Sequence, residues 1–198
     1  PLNIEDLDTN PLEQFNVWFQ IAIDAEVNEA NAMAISTISE EGTPRSRYVL
    51  FKDIVDNKLV FYSDYGSSKG REMENNPNIS GLFFWPELHR QIRLEGVVSK
   101  TSDEVSDNYF ASRPRGAQLS AIASSQSTEI EGRETVEDRI KELEIEFEGK
   151  DIPRPDNWGG YAIDISFWEF WQGRRSRTHD RFIYVKNDNS WEITRLSP

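Results

Sequence analysis

The sequence predicts a mainly β domain with added helices, folded as an antiparallel barrel or sandwich. Nine short segments are rich in β-branched and aromatic residues, as β-strands are. Most are joined by links of hairpin length, which favours antiparallel neighbours over a parallel sheet. Helical periodicity is confined to the start and the middle of the chain. We find no repeat and no linker in the 198 residues, so we expect a single domain over 1–198.

The first element is predicted to be a helix over about 10–28. Asn10 suits the N-cap, Pro11 suits the first helical position, and Glu13 can complete a variant of the capping box. An apolar stripe at helical spacing runs through the rest of this segment.

Strands and short helices are predicted to follow. A short helix over 67–77 is capped by Ser67 and stops before Pro77. The middle of the chain carries helices over 102–113 and 116–124 and an acidic amphipathic helix over 133–148. We expect strands over 32–39, 46–54, 58–64, 79–85, 90–100, 161–167, 168–173, 181–186 and 190–196.

The segment "PRPDNWGG", residues 153–160, is expected to be a loop, with Trp158, Gly159 and Gly160 forming a structural turn.

Composition excludes several classes of function. A formal net charge of −13 argues against a broad nucleic-acid surface or an anionic-membrane surface. The chain has no cysteine and two distant histidines, which predicts no metal site. No apolar run reaches the roughly 20 residues of a membrane span, and no signal peptide is apparent. We expect a cytoplasmic protein whose redox chemistry, if any, resides on a bound cofactor.

Cations nevertheless gather in "EFWQGRRSRTHDR", residues 169–181, beside one of the two histidines. Elsewhere Arg47, Lys69 and Arg113 are candidates for binding phosphate, because arginine presents a planar fork of donors and lysine a point charge. Neighbouring Ser and Gln residues add neutral donors, and Trp and Tyr faces suit a flat heterocycle. Composition alone leaves open that these cations are surface charges paired with the abundant carboxylates.

Several blocks carry a family resemblance in their order along the chain. They are "NAMAISTISEEGTPRSRYVLFK", "FYSDYGSSKG", "HRQIRLEG", "RPRGAQLSAIASSQS", "PRPDNWGGY", "EFWQGRRSRTHDR" and a terminal "RLSP". In sequence and spacing they resemble the pyridoxamine 5′-phosphate oxidase family, from about residue 10 to the C-terminus.

The resemblance implies an FMN-binding split β-barrel of antiparallel Greek-key type. It implies a homodimer with FMN between the subunits, and a dimerisation and substrate segment over about 153–198. The implied reaction oxidises pyridoxamine or pyridoxine 5′-phosphate to pyridoxal 5′-phosphate by hydride transfer from C4′ to flavin N5. The implied partners are therefore a phosphorylated pyridine, a second copy of the chain, and O2, which accepts the electrons and yields H2O2.

The resemblance also assigns site residues. The implied FMN contacts are Arg47, Tyr48, Val49, Leu50, Phe51, Lys52, Tyr62, Ser63, Ser68, Lys69, Gln91, Gln126, Ser127, Trp171 and Arg181. The implied substrate contacts are Lys52, Tyr109, Arg113, Arg177, Thr178 and His179. Arg177 and His179 are the implied catalytic pair, lying over the substrate ring. Arg174 and Arg175 match no family ligand and are expected to be surface or interface charges.

Three positions depart from the family pattern. Ala117 replaces a usual Ser whose hydroxyl helps to hold the substrate phosphate, a loss of about 1–2 kcal/mol, or roughly tenfold in affinity. Ser68 stands where many members have a second Arg for the flavin phosphate. Thr178 replaces a usual Leu, with little effect expected.

Other functions remain open. Because Ala117 departs from the family pattern, a split-barrel flavin oxidoreductase with a different substrate is an alternative interpretation. A non-catalytic FMN or pyridoxal-phosphate binding protein, or a structural dimer without ligand, would share the same fold.

Overall fold

A computed structural model of the chain describes residues 1–188 and 190–198, and in these residues nine strands form one antiparallel sheet. The strands are β1 Ala32–Ile38, β2 Pro44–Leu50, β3 Asp53–Val55, β4 Lys58–Asp64, β5 Asn78–Trp85, β6 Arg90–Lys100, β7 Trp158–Gln172, β8 Asp180–Asn187 and β9 Ser190–Leu196. Seven of them are bonded in the order β2-β1-β5-β6-β7-β4-β3, and β8 joins β7 to β9.

The long strand β7 divides the sheet. One edge of β7 pairs with β6, while its other edge pairs first with β4, up to Ile163, and then with β8, from Phe167 onwards. The register with β6 shifts between Glu95 and Gly96, which marks a β-bulge. Because β4 and β8 pair with successive parts of the same edge of β7, the curled sheet divides into two branches along that edge.

This long strand corrects two sequence-based expectations. The predicted strands 161–167 and 168–173 are one strand, and it begins at Trp158, inside the predicted loop 153–160. The first half of β7 is buried on both faces, so its sequence lacks the alternation that marks a half-buried strand. Gly159 is required there rather than in a turn, because an added Cβ would lie 2.0 Å from Tyr65 Oη.

The predicted strand 46–54 is also interrupted. β2 ends at Leu50 and β3 begins at Asp53. Between them Phe51, 7% exposed, turns into the core and packs edge-on against Phe15 with ring centroids 5.3 Å apart. The backbone N–H of Lys52 donates to the Val60 carbonyl at 2.9 Å, which ties this bend to β4.

Five helices lie in the described residues: α1 Pro11–Asp24, α2 Ser68–Asn75, α3 Asp103–Ser112, α4 Arg115–Ala123 and α5 Arg133–Glu146. The Asn10 side chain accepts from the Leu12 backbone N–H, which confirms the predicted N-cap. The helix ends earlier than predicted, at Asp24. None of the helices is long and apolar enough to span a membrane, over the part of the chain that the structure describes.

Two clusters of buried side chains hold the fold together. The larger one packs α1 into the curled sheet through aromatic residues such as Phe15, Trp18 and Trp168. The smaller one lies under α3, α4 and α5 around Phe110 and Trp158. Trp158 therefore links the first half of β7 to the helical layer.

Candidate active site

A cavity of about 700 Å3 opens between β2, β4 and the α3–α4 pair. Several of the residues that the family resemblance assigned to ligands line it. These are Tyr48, Val49, Leu50, Lys52, Tyr62, Ser63, Lys69, Tyr109, Arg113 and Gln126. Ala117 lines it too, so the departure from the family pattern lies in the cavity wall.

Lys69 is the buried cation of this cavity. It lies in the first turn of α2 and is 8% exposed. Its ammonium group donates to Ser63 Oγ at 3.0 Å, to Ser67 Oγ at 3.3 Å and to the Gln126 carboxamide oxygen. Burial, together with the charge of Arg47, lowers the pKa of Lys69. This convergence of a lysine, a hydroxyl and an amide suits a phosphate group.

Arg47 lies beside this corner but is paired. It donates to Glu72 Oε2 at 2.8 Å and also to Thr37 Oγ1, and Glu72 accepts from Arg45 at 3.0 Å. Burial opposes ionisation of Glu72, but hydrogen bonds from Thr37 and the two arginines outweigh it and lower its pKa. Sequence reasoning missed Glu72, although its i,i+3 spacing from Lys69 in α2 could have indicated a shared face.

Asp64 is a second residue that sequence reasoning missed. Its Oδ2 accepts from the backbone N–H of Gln126 at 3.3 Å and from the Asn157 side chain at 3.1 Å. Asp64 ends β4 and is buried, so it holds the loop that carries Gln126 against the strand.

Arg113 forms the other charged wall of the cavity. Its Nη1 is buried without a hydrogen-bond partner among the described residues. Its guanidinium lies 4.6 Å from the Trp158 ring centroid, and burial lowers its pKa. A half-buried guanidinium whose Nη1 is buried and unpaired beside a cavity suits an anionic ligand, which would satisfy that donor.

Parallel aromatic rings form the floor between these walls. Tyr62 and Tyr109 stack with centroids 3.7 Å apart, and Tyr62 and Trp158 with centroids 5.6 Å apart. Burial, with a smaller contribution from the Asp53 charge, raises the pKa of Tyr62 to about 12. Tyr62 therefore stays neutral at ordinary pH.

The remaining predicted residues are distributed elsewhere. Trp171, Thr178 and His179 line a separate cavity of about 990 Å3 at the ends of β6 and β7. Phe51 belongs to the core. The other predicted contacts, which line neither of these two cavities, are Arg47, Ser68, Gln91, Ser127, Arg177 and Arg181.

Arg181 is ordered by a carboxylate. Its Nε donates to Glu169 Oε1 at 2.7 Å, and Arg93 donates to the other Glu169 oxygen at 3.0 Å. Burial opposes ionisation of Glu169, but these two hydrogen bonds outweigh it and lower its pKa. Arg181 stands opposite Trp171 across the β7–β8 ladder.

The segment after β7 has a strained backbone. Ser176 and Arg177 both have left-handed conformations, with φ of 57° and 60°. Two successive residues other than glycine in this region are costly, and such strain clusters at functional sites. Arg177 is exposed on this loop. The imidazole of His179 packs on Trp171 with ring centroids 4.6 Å apart.

The described residues contain no group of three or more His, Cys, Asp or Glu side chains that could hold a metal ion.

Two family models and two full-length relatives name the same family of oxidases. The sequence model of "Pyridoxamine 5′-phosphate oxidase" matches residues 19–146, and that of the "Pyridoxine 5′-phosphate oxidase C-terminal dimerisation region" matches residues 158–198. A pyridoxine/pyridoxamine 5′-phosphate oxidase from Burkholderia mallei is 49% identical over 200 residues, covering 100% of this chain and 93% of the relative. One from Cyanothece sp. is 46% identical, covering 100% of this chain and 92% of the relative.

Solved structures also share the fold. PhzG from Burkholderia lata, in complex with tetrahydrophenazine-1-carboxylic acid, has a TM-score of 0.93 and 30% identity, covering 100% of this chain and 98% of that one. A pyridoxamine 5′-phosphate oxidase-related, FMN-binding protein from Nostoc punctiforme has a TM-score of 0.76 and 16% identity, covering 97% and 100%.

The curled, split antiparallel sheet and the match to the family models define a split-barrel oxidoreductase of the flavoprotein class, which confirms the predicted fold. The chain belongs to the pyridoxamine 5′-phosphate oxidase family.

Proposed function

We propose that this chain is an FMN-dependent pyridoxal 5′-phosphate synthase. Pyridoxine 5′-phosphate and O2 give pyridoxal 5′-phosphate and H2O2. Pyridoxamine 5′-phosphate, O2 and water give pyridoxal 5′-phosphate, ammonia and H2O2. A chain without cysteine needs no oxidising compartment to form disulfides, and we place the reaction in the cytoplasm.

One observation supports the proposal: a single cavity is lined by two sets of groups that are suited to bind phosphate. Lys69, Ser63 and Gln126 form one set, and Lys52 and Arg113 belong to the other. Flavin mononucleotide and a phosphorylated pyridine each carry one phosphate group, so a cavity that holds both requires two such sets of residues.

The first set fits the phosphate of FMN. Lys69, Ser63 and Gln126 already contact one another, so one phosphate can receive all three donors once the Gln126 carboxamide presents its NH2 group. Arg47, held by Glu72 at the same corner, adds a second positive charge. When bound, FMN supplies the acceptor for the substrate hydride and delivers the electrons to O2.

The second set fits the phosphate of the substrate. Arg113 has an unused buried donor, and Lys52 lies at the bend between β2 and β3 where its side chain reaches the same cavity. Tyr109, stacked on Tyr62, completes this wall. These groups bind and orient the pyridine, and such positioning lowers the activation barrier of the reaction.

We further propose that the complete site forms between two copies of the chain. The residues assigned to the flavin and substrate rings, Trp171, Arg177, His179 and Arg181, lie outside this cavity and within the segment that matches a dimerisation region. In a two-fold symmetric dimer, the loop of one copy can complete the cavity of the other.

A mixing experiment tests the shared site. Lys69→Met, assayed at an FMN concentration that saturates only the native site, and His179→Ala each impair one half of the site. Unfolding and refolding a mixture produces heterodimers with one intact site, whose activity is counted above the residual activity of the two variants alone. About a quarter of the native activity should return, because half of the dimers are mixed and each has one good site of two. No recovery, with dimers shown to have exchanged, would place both residues in the site of one chain.

The activity itself is tested with protein loaded with FMN. Pyridoxine 5′-phosphate should consume O2 and yield pyridoxal 5′-phosphate and H2O2 in equal amounts. Bound FMN without turnover would support a non-catalytic binding protein. A protein that stays colourless after FMN is added would refute the cofactor assignment.

A second candidate substrate is an aromatic carboxylic acid without phosphate. The similarity to PhzG in complex with such an acid favours it, as does Ala117, which leaves the cavity without one hydroxyl donor for phosphate. Ala117→Ser should lower the KM for pyridoxine 5′-phosphate roughly tenfold if phosphate is the natural group. Faster flavin reduction by a dihydrophenazine carboxylate than by pyridoxine 5′-phosphate would favour the second candidate.

A further inference from the structure

The imidazole of His179 is held in one orientation by a backbone amide. The N–H of Arg174 donates to His179 Nδ1 at 3.1 Å, while the ring packs on Trp171. A backbone amide can only donate, so Nδ1 must carry a lone pair and no proton. In a neutral imidazole the proton then resides on Nε2.

The start of the loop fixes the backbone that makes this contact. The Gly173 N–H donates to the His89 carbonyl at 2.7 Å. Gln172, just before it, accepts from Arg90 Nε at 2.9 Å and donates to the Leu88 carbonyl at 3.1 Å. The chain therefore leaves β7 along a path set by three hydrogen bonds.

The other end of the loop is also fixed. Asp180, 6% exposed, accepts from the Arg174 guanidinium at 3.2 Å and from the Leu2 backbone N–H at 2.9 Å. Arg195 also donates to Asp180, at 2.9 Å, so the position of the residue after His179 does not depend on the Arg174 guanidinium alone, although Ser176 and Arg177 are strained.

We propose that Arg174, through its backbone N–H, is a positioning residue that fixes His179 as the Nε2–H tautomer. His179 then donates a hydrogen bond to the substrate and does not take its proton. This inference rests on the proposed function for the identity of the substrate, but the tautomer itself does not depend on it.

The alternative tautomer conflicts with the geometry. If His179 were a base acting through Nε2, the neutral ring would carry its proton on Nδ1. Two N–H groups would then face each other across 3.1 Å, and the Arg174 amide would lose its acceptor. The proton released by the substrate alcohol or amine therefore passes to water, and the Nε2–H group orients the oxygen or nitrogen that bears it.

Nitrogen NMR on the full chain tests the tautomer directly. The chain has two histidines, so His89→Gln leaves a single imidazole in the spectrum of 15N-labelled protein. The expected spectrum shows a protonated Nε2, an unprotonated Nδ1, and a 15N–15N coupling across the hydrogen bond to the Arg174 amide. A protonated Nδ1, or no such coupling in the folded protein, would overturn the proposal.

Arg174→Ala is the matched control, because it removes the guanidinium but keeps the backbone N–H. The signature of the Nε2–H tautomer should persist in this variant. Its loss would show that the side chain and its ion pair with Asp180 do the positioning, and would overturn the assignment to the backbone.

A kinetic comparison tests the donor role. The carboxamide of Gln can place an N–H near the position of Nε2, whereas that of Asn replaces only the Nδ1 side. Anaerobic flavin reduction by pyridoxine 5′-phosphate should be about tenfold faster in His179→Gln than in His179→Asn. Equal rates, or a faster Asn variant, would contradict the donor role. If the native protein does not reduce flavin either, the proposed function fails while the NMR result still decides the tautomer.

Discussion

Lys69 and His179 occupy two regions that are built in different ways. The Lys69 corner is held by a strand, the first turn of a helix and side-chain hydrogen bonds, with a buried carboxylate at Glu72. The His179 imidazole lies in a loop with two successive left-handed residues and is held by one backbone hydrogen bond and by packing on Trp171. The regular region is suited to hold a cofactor permanently. The loop is suited to meet a substrate that must enter and leave.

The largest expected effect is a loss of FMN affinity when Lys69 is replaced. Lys69→Met removes the buried charge but keeps the length of the side chain, so FMN affinity should fall about 100-fold. Fluorescence titration of FMN measures the change. Lys141→Met is the control, since Lys141 is exposed on α5 and pairs only with Asp138 among the described residues. An affinity within twofold of the native value would remove Lys69 from the phosphate site.

Arg113→Ala separates the substrate wall from the cofactor wall. Loss of the unpartnered buried donor should raise the KM for pyridoxine 5′-phosphate roughly thirtyfold and leave FMN affinity unchanged. Arg115→Ala is a close control, because Arg115 lies outside the cavity and donates to the Phe147 and Lys150 carbonyls. If FMN affinity fell as much as substrate affinity, the two walls would not be separate sites.

FMN binding should depend on pH through Lys69. Its pKa in the folded protein lies below the ordinary value of 10.5, because of burial and the charge of Arg47. Folding therefore penalises the charged form, and apo-protein stability should rise as pH rises through the lowered pKa. Phosphate binds the charged form of Lys69 more tightly than the neutral form. FMN affinity should therefore fall as pH rises through the lowered pKa, by up to about tenfold per pH unit. An unchanged pH profile in Lys69→Met would assign the dependence to another group.

The smallest expected effect is on the strained loop. Glycine adopts φ of 57° without cost, so Ser176→Gly relieves strain but also adds freedom to the unfolded chain. The free energy of unfolding should change by less than about 1 kcal/mol, in the stabilising direction. Thermal unfolding measures it, and a marked loss of stability would show that the serine side chain supports the loop.

Local signals predicted much of the fold. Asn10 and Pro11 identify the start of α1 because capping depends on neighbouring residues. The extent of β7 was not predictable, because its bulge and its change of partner at one edge are set by distant strands. The left-handed backbone at Ser176 and Arg177 was also not predictable, because serine and arginine rarely adopt this conformation and do not indicate it in a sequence.

The candidate site was predicted from motifs rather than from contacts. The resemblance named Arg47 and Lys69, but not the carboxylate that holds Arg47. Glu72 accepts hydrogen bonds from Thr37 and Arg47, which lie 35 and 25 residues before it in the sequence. Such partners emerge only when β1, β2 and α2 pack together.

The central claim, that one cavity holds two phosphates, is tested most directly by anaerobic flavin reduction. Protein loaded with FMN is mixed with pyridoxine 5′-phosphate or with unphosphorylated pyridoxine at the same concentration. The visible flavin band should bleach with the phosphate ester and persist with pyridoxine. Equal bleaching by both compounds, or bleaching by neither, would contradict a substrate phosphate held by Lys52 and Arg113.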